Sequence, residues 1–249
     1  TSLPAFVGVI GFVCLVGIWE LAGAFARMGI TLAVPPLYVG AIGIVTCAWW
    51  LGSEGTLFAL YITVFVCAAW RLLDRRQESR MSDVVSTTFT AVYVPFLASF
   101  VVLMLAAWQN PWVFVVFELM VIANDTGGWA AGVLFGKHPM APALSPKKSW
   151  EGFVGSALTA VGVGTVGLWW LGAAWWWGII AGVSIAFVGT MGDLTESMIK
   201  RESGLKDMSQ ILPGHGGVLD RVDALLMSAP VAYFIFAWAL PGVSWESRH

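Results

Sequence analysis

The stretch from Asp193 to Asp223 decides the fold, and it reads DLTESMIKRESGLKDMSQILPGHGGVLDRVD. It concentrates acidic, basic and glycine residues in a chain that is 58% hydrophobic and only 11% charged. The spacing of Asp193, Glu196 and Lys200 places them on one face of a helix. Asp220 and Asp223 share a face of a following helix for the same reason. The pattern therefore predicts two helices that present carboxylates on either side of a polar turn.

The turn between these helices contains Pro213-Gly214-His215-Gly216-Gly217, which cannot continue a helix. Carboxylates at two helix ends beside a glycine-rich turn can hold a divalent cation and a polyphosphate. The alternative is a solvated loop between membrane helices, but such a loop has no need for this spacing. We therefore predict a Mg²⁺ site with ligands from Asp193, Glu196, Asp220 and Asp223.

The composition predicts an all-α, polytopic membrane protein. A soluble domain carries about 25% charged residues, and a membrane span needs about 20 mainly apolar residues. About eight candidate spans cover residues 4–26, 30–51, 55–73, 86–107, 111–135, 151–172, 174–202 and 219–240. The seventh is too long for the bilayer alone, so its last third should leave the apolar core. We divide this one integrated membrane domain into N-terminal transmembrane helices, 1–110, and a C-terminal catalytic part, 111–249.

The basic residues predict the orientation in the membrane. Twelve of the thirteen Lys and Arg residues fall on one side of the eight predicted spans, and only Arg248 falls on the other. Cytoplasmic loops carry this excess of positive charge. The polar loops should therefore face the cytoplasm across a plasma membrane, such as the bacterial inner membrane. No basic run indicates a nucleic-acid partner, and the net charge is −2.

Glu20, Glu118 and Asp125 lie well inside the apolar runs of predicted spans. Such groups are costly in lipid and normally face a cavity or a partner. Glu118 and Asp125 lie about two turns apart, so they either line a cavity or pair with a basic side chain. For Glu20 a structural role is favoured. The alternative function is a membrane transporter in which these carboxylates form an ion pathway.

The segment SPKKSWEG, residues 145–152, precedes the sixth predicted helix. In a structural role, Ser145 or Ser149 caps that helix, and the proline between them fixes its entry. In a functional role, Lys147 and Lys148 bind phosphate at the helix N-terminus through their charge and through free backbone N–H groups. We predict the functional role and keep the structural one as the alternative.

Three ordered patterns occur in the deciding stretch: S-x-x-K-R at 197–201, K-D at 206–207 and H-G-G-x-x-D-R-x-D at 215–223. Together they closely resemble the signature of phosphatidate cytidylyltransferases, the CDP-diacylglycerol synthases. Further patterns resemble the same family: N-D-T at 124–126, G-K at 136–137 and S-P-K-K-S-x-E-G at 145–152. The resemblance covers about residues 118–223, and the first half of the chain is only generically similar.

The resemblance implies an enzyme that converts CTP and phosphatidic acid into CDP-diacylglycerol and pyrophosphate, with Mg²⁺ as cofactor. It also implies a homodimer in the lipid bilayer. The expected catalytic residues are Asp193, Lys200, Arg201, His215, Asp220 and Arg221. The expected substrate-binding residues are Asp125, Lys137, Ser145, Lys147, Lys148, Glu151, Lys206, Gly216 and Gly217. His215 either hydrogen-bonds a phosphate or shapes the turn.

Overall fold

Long apolar runs become helices because a helix satisfies its own backbone hydrogen bonds, which lipid cannot do. The structure is a computed structural model that describes residues 3–74, 80–211 and 216–241. The described helices are α1 (Leu3–Arg27), α2 (Val34–Trp50), α3 (Gly52–Leu73), α4 (Met81–Ala91), α5 (Leu97–Trp108), α6 (Pro111–Phe135), α7 (Trp150–Trp170), α8 (Trp175–Glu202) and α9 (Leu219–Ala239). A π-helical turn, Val92–Phe96, joins α4 to α5. Two strands, β1 (Pro139–Ala141) and β2 (Ser145–Ser149), lie between α6 and α7.

Seven of the described helices are long and apolar enough to cross a membrane when α4 and α5 are counted as one. The remaining helix, α2, is apolar but has only 17 residues. At 1.5 Å per residue it is about 25 Å long, which is close to the thickness of a bilayer core. The predicted fold is therefore confirmed: the chain is a polytopic all-α membrane protein, and each predicted span coincides with a helix.

The chain forms two compact units. The first comprises Thr1–Ala106 and Met198–Val222, and the second comprises Ala107–Ser197 and Asp223–His249. The end of α8 and the first turn of α9 therefore belong to the first unit, and the rest of both helices belongs to the second. As predicted for the seventh span, α8 is longer than a bilayer requires, with 28 residues.

A buried ion pair between Arg71 and Asp83 joins three helices of the first unit. The two side chains are only 2% and 3% exposed, and Arg71 Nη2 lies 2.5 Å from Asp83 Oδ2. The backbone N–H of Thr31 donates to Asp83 Oδ1 over 2.9 Å. The start of α2, the end of α3 and the start of α4 therefore meet at this pair. Since α2 and α3 connect directly through Leu51, they form a helical hairpin, which supports α2 as a full span.

Close packing through glycine residues joins α6 to α7 in the second unit. A Cβ atom on Gly127 would lie 2.1 Å from Thr159 Oγ1, and one on Gly155 would lie 2.7 Å from the Gly127 carbonyl oxygen. Ser156 Oγ donates to the carbonyl oxygen of Asn124 over 2.7 Å at the same contact. Small residues allow such close approach between membrane helices. The hairpin of β1 and β2 connects these two packed helices.

Asp83→Asn is expected to destabilise the first unit by about 3–5 kcal/mol, because it removes the charge partner of a buried guanidinium. Thermal unfolding of the purified protein in detergent measures the change. The matched control is Asp74→Asn: Asp74 also pairs with Arg71, over 3.2 Å, but its side chain is 23% exposed. That control should lose less than about 1 kcal/mol. Equal stability of the two variants would contradict the role assigned to the buried pair.

Candidate active site

Four carboxylates gather around one lysine in the second unit, and we call Asp125, Asp193, Glu196, Asp223 and Lys148 the acidic cluster. They come from α6, α8, α9 and β2. Lys148 Nζ donates a hydrogen bond to Asp193 Oδ2. Asp223 lies within hydrogen-bonding reach of Glu196 and Asp193, and Asp125 interacts electrostatically with Asp193 and Lys148. The cluster therefore contains four acidic groups for one basic group.

The helical spacing predicted for Asp193 and Glu196 is confirmed, since both lie in α8 and both approach Asp223. Glu196 and Asp223 are almost completely buried, at 2% and 8% exposure. Two carboxylates in contact cannot both stay ionised unless a cation offsets their repulsion; otherwise one of them must hold a proton. The acidic cluster thus has the charge and the oxygen donors that a divalent cation requires.

Asp220 organises the loop between α8 and α9 in the first unit. Lys200 Nζ donates to Asp220 Oδ1 over 2.8 Å. The backbone N–H groups of Met208 and Gly217 donate to Asp220 Oδ2 over 3.0 and 2.6 Å. One carboxylate in the first turn of α9 therefore fixes two points of the loop and the last turn of α8.

Glu20 has the structural role that the sequence favoured, and its partners lie almost 200 residues away. Its side chain is buried, and Oε1 accepts hydrogen bonds from Ser209 Oγ over 2.6 Å and from the N–H of Val218 over 2.8 Å. Oε2 accepts from the N–H of Leu219 over 2.7 Å. These donors include the first residue of α9, where negative charge is favourable. Glu20 thereby attaches α1 to the loop that Asp220 organises.

The turn glycines allow these contacts. Gly216 has a φ of 81°, which side-chain-bearing residues rarely adopt. A Cβ atom on Gly217 would lie 2.5 Å from Glu20 Oε1 and 3.0 Å from Asp220 Oδ2. Gly216 is therefore favoured by its backbone conformation, and Gly217 by the side chains that lie against it. Contact of either glycine with substrate stays a prediction. His215 lies outside the described residues.

Three predicted cationic residues of the first unit, Arg201, Lys206 and Arg221, are exposed. Arg201 lies in the last turn of α8, Lys206 lies in the loop that Asp220 organises, and Arg221 lies in the first turn of α9. Exposed guanidinium and ammonium groups can reach a phosphorylated ligand without losing hydration in the free protein. Their roles in catalysis and substrate binding stay predictions.

The helix start predicted beside Lys147 and Lys148 is wrong, because residues 145–149 form a strand that pairs antiparallel with β1. α7 begins only at Trp150. Its N-cap is Ser149, whose Oγ accepts a hydrogen bond from the N–H of Gly152 over 3.1 Å. Ser149 thus has the capping role weighed for it, whereas Ser145 starts the strand and caps nothing.

The strand changes what Lys147 and Lys148 can do. Neither lysine lies in the first turn of α7. The predicted phosphate site, in which the lysines act together with free N–H groups of that turn, is therefore not formed as expected. Their side chains nevertheless flank the same region: Lys148 reaches Asp193, and Lys147 is exposed. Phosphate binding by side-chain charge alone stays a prediction.

Glu151 attaches the hairpin to α7. Its Oε2 accepts hydrogen bonds from the backbone N–H groups of Lys137 and His138 over 3.1 and 3.2 Å. Its Oε1 lies 2.5 Å from His138 Nδ1. These contacts place Lys137 at the mouth of the hairpin, and a direct contact of Glu151 with substrate stays a prediction.

The described residues contain no group of three or more His, Cys, Asp or Glu side chains arranged to hold a metal ion. Mg²⁺ usually takes one or two carboxylates, several waters and the phosphates of its substrate. The acidic cluster contains enough carboxylates to supply one or two ligands of this kind. The two predicted principal ligands, Asp193 and Asp220, belong to different units.

Comparison with known proteins identifies the family. Residues 2–239 match the family described as the cytidylyltransferase family. The chain belongs to the cytidylyltransferase family. This match includes the first half of the chain, where the sequence resemblance was only generic, and therefore includes Glu20. The family predicted from residues 118–223 is confirmed.

Named relatives of this cytidylyltransferase include bacterial phosphatidate cytidylyltransferases. The proteins of Mycobacterium bovis and Mycobacterium tuberculosis H37Rv are each 38% identical over 244 residues, which is 92% of this chain. The match covers 79% and 74% of their lengths, respectively. The Haemophilus influenzae protein is 45% identical over 125 residues, which is 47% of this chain and 43% of that protein.

Glu20→Gln is expected to loosen the loop of this cytidylyltransferase and the start of α9. The amide has one acceptor oxygen where the carboxylate has two, so at least one buried N–H or hydroxyl donor loses its acceptor, at about 1–3 kcal/mol. Limited proteolysis of residues 203–218 and thermal unfolding measure this loss. Glu54→Gln, at an exposed glutamate in the first turn of α3, is the matched control and should change neither. If both variants behaved alike, Glu20 would not hold the loop.

Proposed function

We infer that this cytidylyltransferase is a phosphatidate cytidylyltransferase that makes CDP-diacylglycerol and pyrophosphate from CTP and phosphatidate. The observation that carries this inference is the family match over residues 2–239, together with the phosphatidate cytidylyltransferases that match 92% of the chain. The apolar helices support a lipid substrate, because they place the protein in the membrane where phosphatidate lies. The chain is thus a membrane-bound nucleotidyltransferase.

The transporter alternative is not favoured. Its ion pathway required Glu20, Glu118 and Asp125, but the Glu20 carboxylate already accepts hydrogen bonds from three donors of its own unit. A carboxylate engaged in this way fixes the loop and offers little free capacity for a passing ion. Family membership in the cytidylyltransferases supports the enzyme independently.

The reaction requires that negatively charged groups be brought together. A phosphate oxygen of phosphatidate forms a bond to the α-phosphorus of CTP, and the bond from that phosphorus to the bridging oxygen breaks, so that pyrophosphate leaves with the electron pair. The attacking oxygen is already anionic at neutral pH, so a strong general base is not required. Positioning and charge compensation therefore carry most of the catalysis.

The chain supplies fixed cations for this purpose. Lys148 is held by Asp193 in the second unit, and Lys200 is held by Asp220 in the first. Holding each ammonium group by a carboxylate orders it before substrate arrives, which reduces the entropy cost of binding phosphate. Exposed Arg201, Lys206 and Arg221 add positive charge for the triphosphate and the leaving pyrophosphate.

We propose that Mg²⁺ is the cofactor and that Asp193, Glu196 and Asp223 of the acidic cluster hold it, with Asp220 as a further candidate. When bound, it would offset phosphate charge and act as a Lewis acid. The excess of carboxylates over lysine in the cluster supports this assignment. In the resting protein Asp193 holds Lys148 in place.

We also propose that the active site faces the cytoplasm from a bacterial plasma membrane, with both chain ends outside. The distribution of Lys and Arg supports this orientation. The hairpin of α2 and α3 is consistent with it, because Arg27 and Arg71 then fall on the same side. A homodimer is proposed from the family resemblance alone, and a single-chain mass in detergent solution would contradict it.

Sealed membrane vesicles test the reaction and its orientation together, because CTP does not cross a bilayer. Inside-out vesicles from bacterial cells that produce the protein should convert external CTP and phosphatidate into CDP-diacylglycerol. Right-side-out vesicles should do so only after permeabilisation with detergent. A chelator of divalent cations should stop product formation, and added Mg²⁺ should restore it.

Vesicles from cells that lack the protein supply the background. Product in intact right-side-out vesicles above that background would contradict the proposed orientation. Absence of product even after permeabilisation would contradict the proposed reaction. Full activity in the presence of chelator would contradict the proposed cofactor.

A further inference from the structure

An open cavity of about 590 Å³ lies in the second unit between the last turns of α6 and the β1–β2 hairpin. We call it the hairpin cavity. Its floor is formed by Gly128 and Gly132 of α6 and by Gly136, which follows the last residue of this helix. Gly128 and Gly132 lie four residues apart and therefore on one side of α6. The described walls carry lysines and no carboxylate.

Three lysines line the hairpin cavity, namely Lys137, Lys147 and Lys148. Lys148 is paired with Asp193, so its ammonium group borders both this cavity and the acidic cluster. The described ion pairs include neither Lys137 nor Lys147. The cavity therefore has a net positive wall that can bind an anionic group.

The lining of the hairpin cavity also includes apolar side chains. Trp129 and Val133 of α6 are two of them, and they are 71% and 69% exposed. Both belong to a helix that is long and apolar enough to cross a membrane, so hydrocarbon suits their exposed surfaces. Tryptophan is favoured where a membrane meets water. The cavity thus combines lysines with side chains suited to hydrocarbon.

The combination of lysines and apolar side chains in the lining distinguishes phosphatidate from CTP. CTP is polar along its whole length and gains nothing from an exposed tryptophan and valine beside its phosphates. Phosphatidate has a small phosphate group joined directly to a glycerol that carries two acyl chains. Its phosphate matches the three lysines, and the start of its chains matches the apolar side chains.

We propose that the hairpin cavity binds the phosphate of phosphatidate, so that Lys147 and Lys137 select the lipid substrate and not the nucleotide. This inference rests on the proposed function. Lys148 then stands between the lipid phosphate and the acidic cluster, in position to orient the attacking oxygen towards the site of nucleotide transfer.

The glycine floor provides a steric test of this assignment. A Cβ atom on Gly132 would meet its nearest neighbour, Ser149 Oγ, at 3.7 Å, which is an ordinary contact. A Cβ atom is therefore accommodated at this position, and a larger side chain would reduce the volume of the cavity that Gly132 lines. Gly162 of α7 has no atom within 4 Å of its own Cβ position and lies away from the cavity, so it supplies a matched control.

The experiment measures KM for phosphatidate and for CTP separately, with purified full-length variants in mixed micelles. Lys147→Ala is expected to raise KM for phosphatidate about 10-fold or more, because a charge-assisted hydrogen bond is lost, while KM for CTP stays within about 2-fold. Lys147→Arg should restore most of the affinity. Arg27→Ala removes an exposed cation at the end of α1 and should change neither constant.

Gly132→Leu should raise KM for phosphatidate in the same way without any change of charge, and Gly162→Leu should not. A second readout does not need turnover: phosphatidate, but not phosphatidylcholine, should raise the Tm of the wild-type protein, and this shift should shrink in Lys147→Ala and Gly132→Leu.

The outcomes separate the inference from the proposed function. If the wild-type protein made no CDP-lipid, the proposed function would fail, and with it the identification of the ligand as a substrate. If product formed but Lys147→Ala raised KM for CTP instead, the hairpin cavity would belong to the nucleotide. Unchanged constants and an unchanged Tm shift in both cavity variants would also overturn the inference.

Discussion

The first unit depends on the buried Glu20 carboxylate. A carboxylate removed from water is strongly destabilising unless hydrogen-bond donors surround it, and here all its observed donors come from Ser209, Val218 and Leu219. The conformation of α1 and that of the loop before α9 therefore stabilise each other. Asp220 follows immediately in the first turn of α9, and its carboxylate binds Lys200 and two further N–H groups. A contact made by α1 thus stabilises the conformation of the segment that carries the family signature.

The second unit has a different electrostatic arrangement, because its acidic cluster combines four carboxylates with one lysine. Glu196 and Asp223 approach each other while buried, and Lys148 is the one basic side chain observed to pair with Asp193. Such crowding is tolerated where a cation or a proton completes the site. The hairpin cavity begins on the other side of Lys148, and the described part of its lining includes three lysines and no carboxylate. The proposed Mg²⁺ site and the proposed phosphate site therefore share Lys148.

Sequence predicted the helices and the helix faces well, because both follow from periodicities within a single segment. The pairing of Asp193 with Glu196 on one face and the length of α8 are examples. It failed for Lys147 and Lys148, which were expected at a helix N-terminus, since a short strand depends on a partner strand that propensity does not reveal. It also could not find the partners of Glu20, which lie 189 to 199 residues along the chain. The only local signal was an acidic residue inside an apolar span. The hairpin cavity was equally hidden, because it arises where the glycines at the end of α6 meet a hairpin.

The central claim is that the protein transfers a nucleotidyl group to a lipid phosphate. Supplying the purified protein with phosphatidate, Mg²⁺ and CTP labelled at either the α- or the γ-phosphorus tests this claim most directly. The account predicts that the α label enters the lipid product in a one-to-one ratio with the lipid consumed, and that the γ label appears only in released pyrophosphate. Label from the γ-phosphorus in the lipid would show phosphoryl transfer instead. That result, or unlabelled lipid from both nucleotides, would contradict the account.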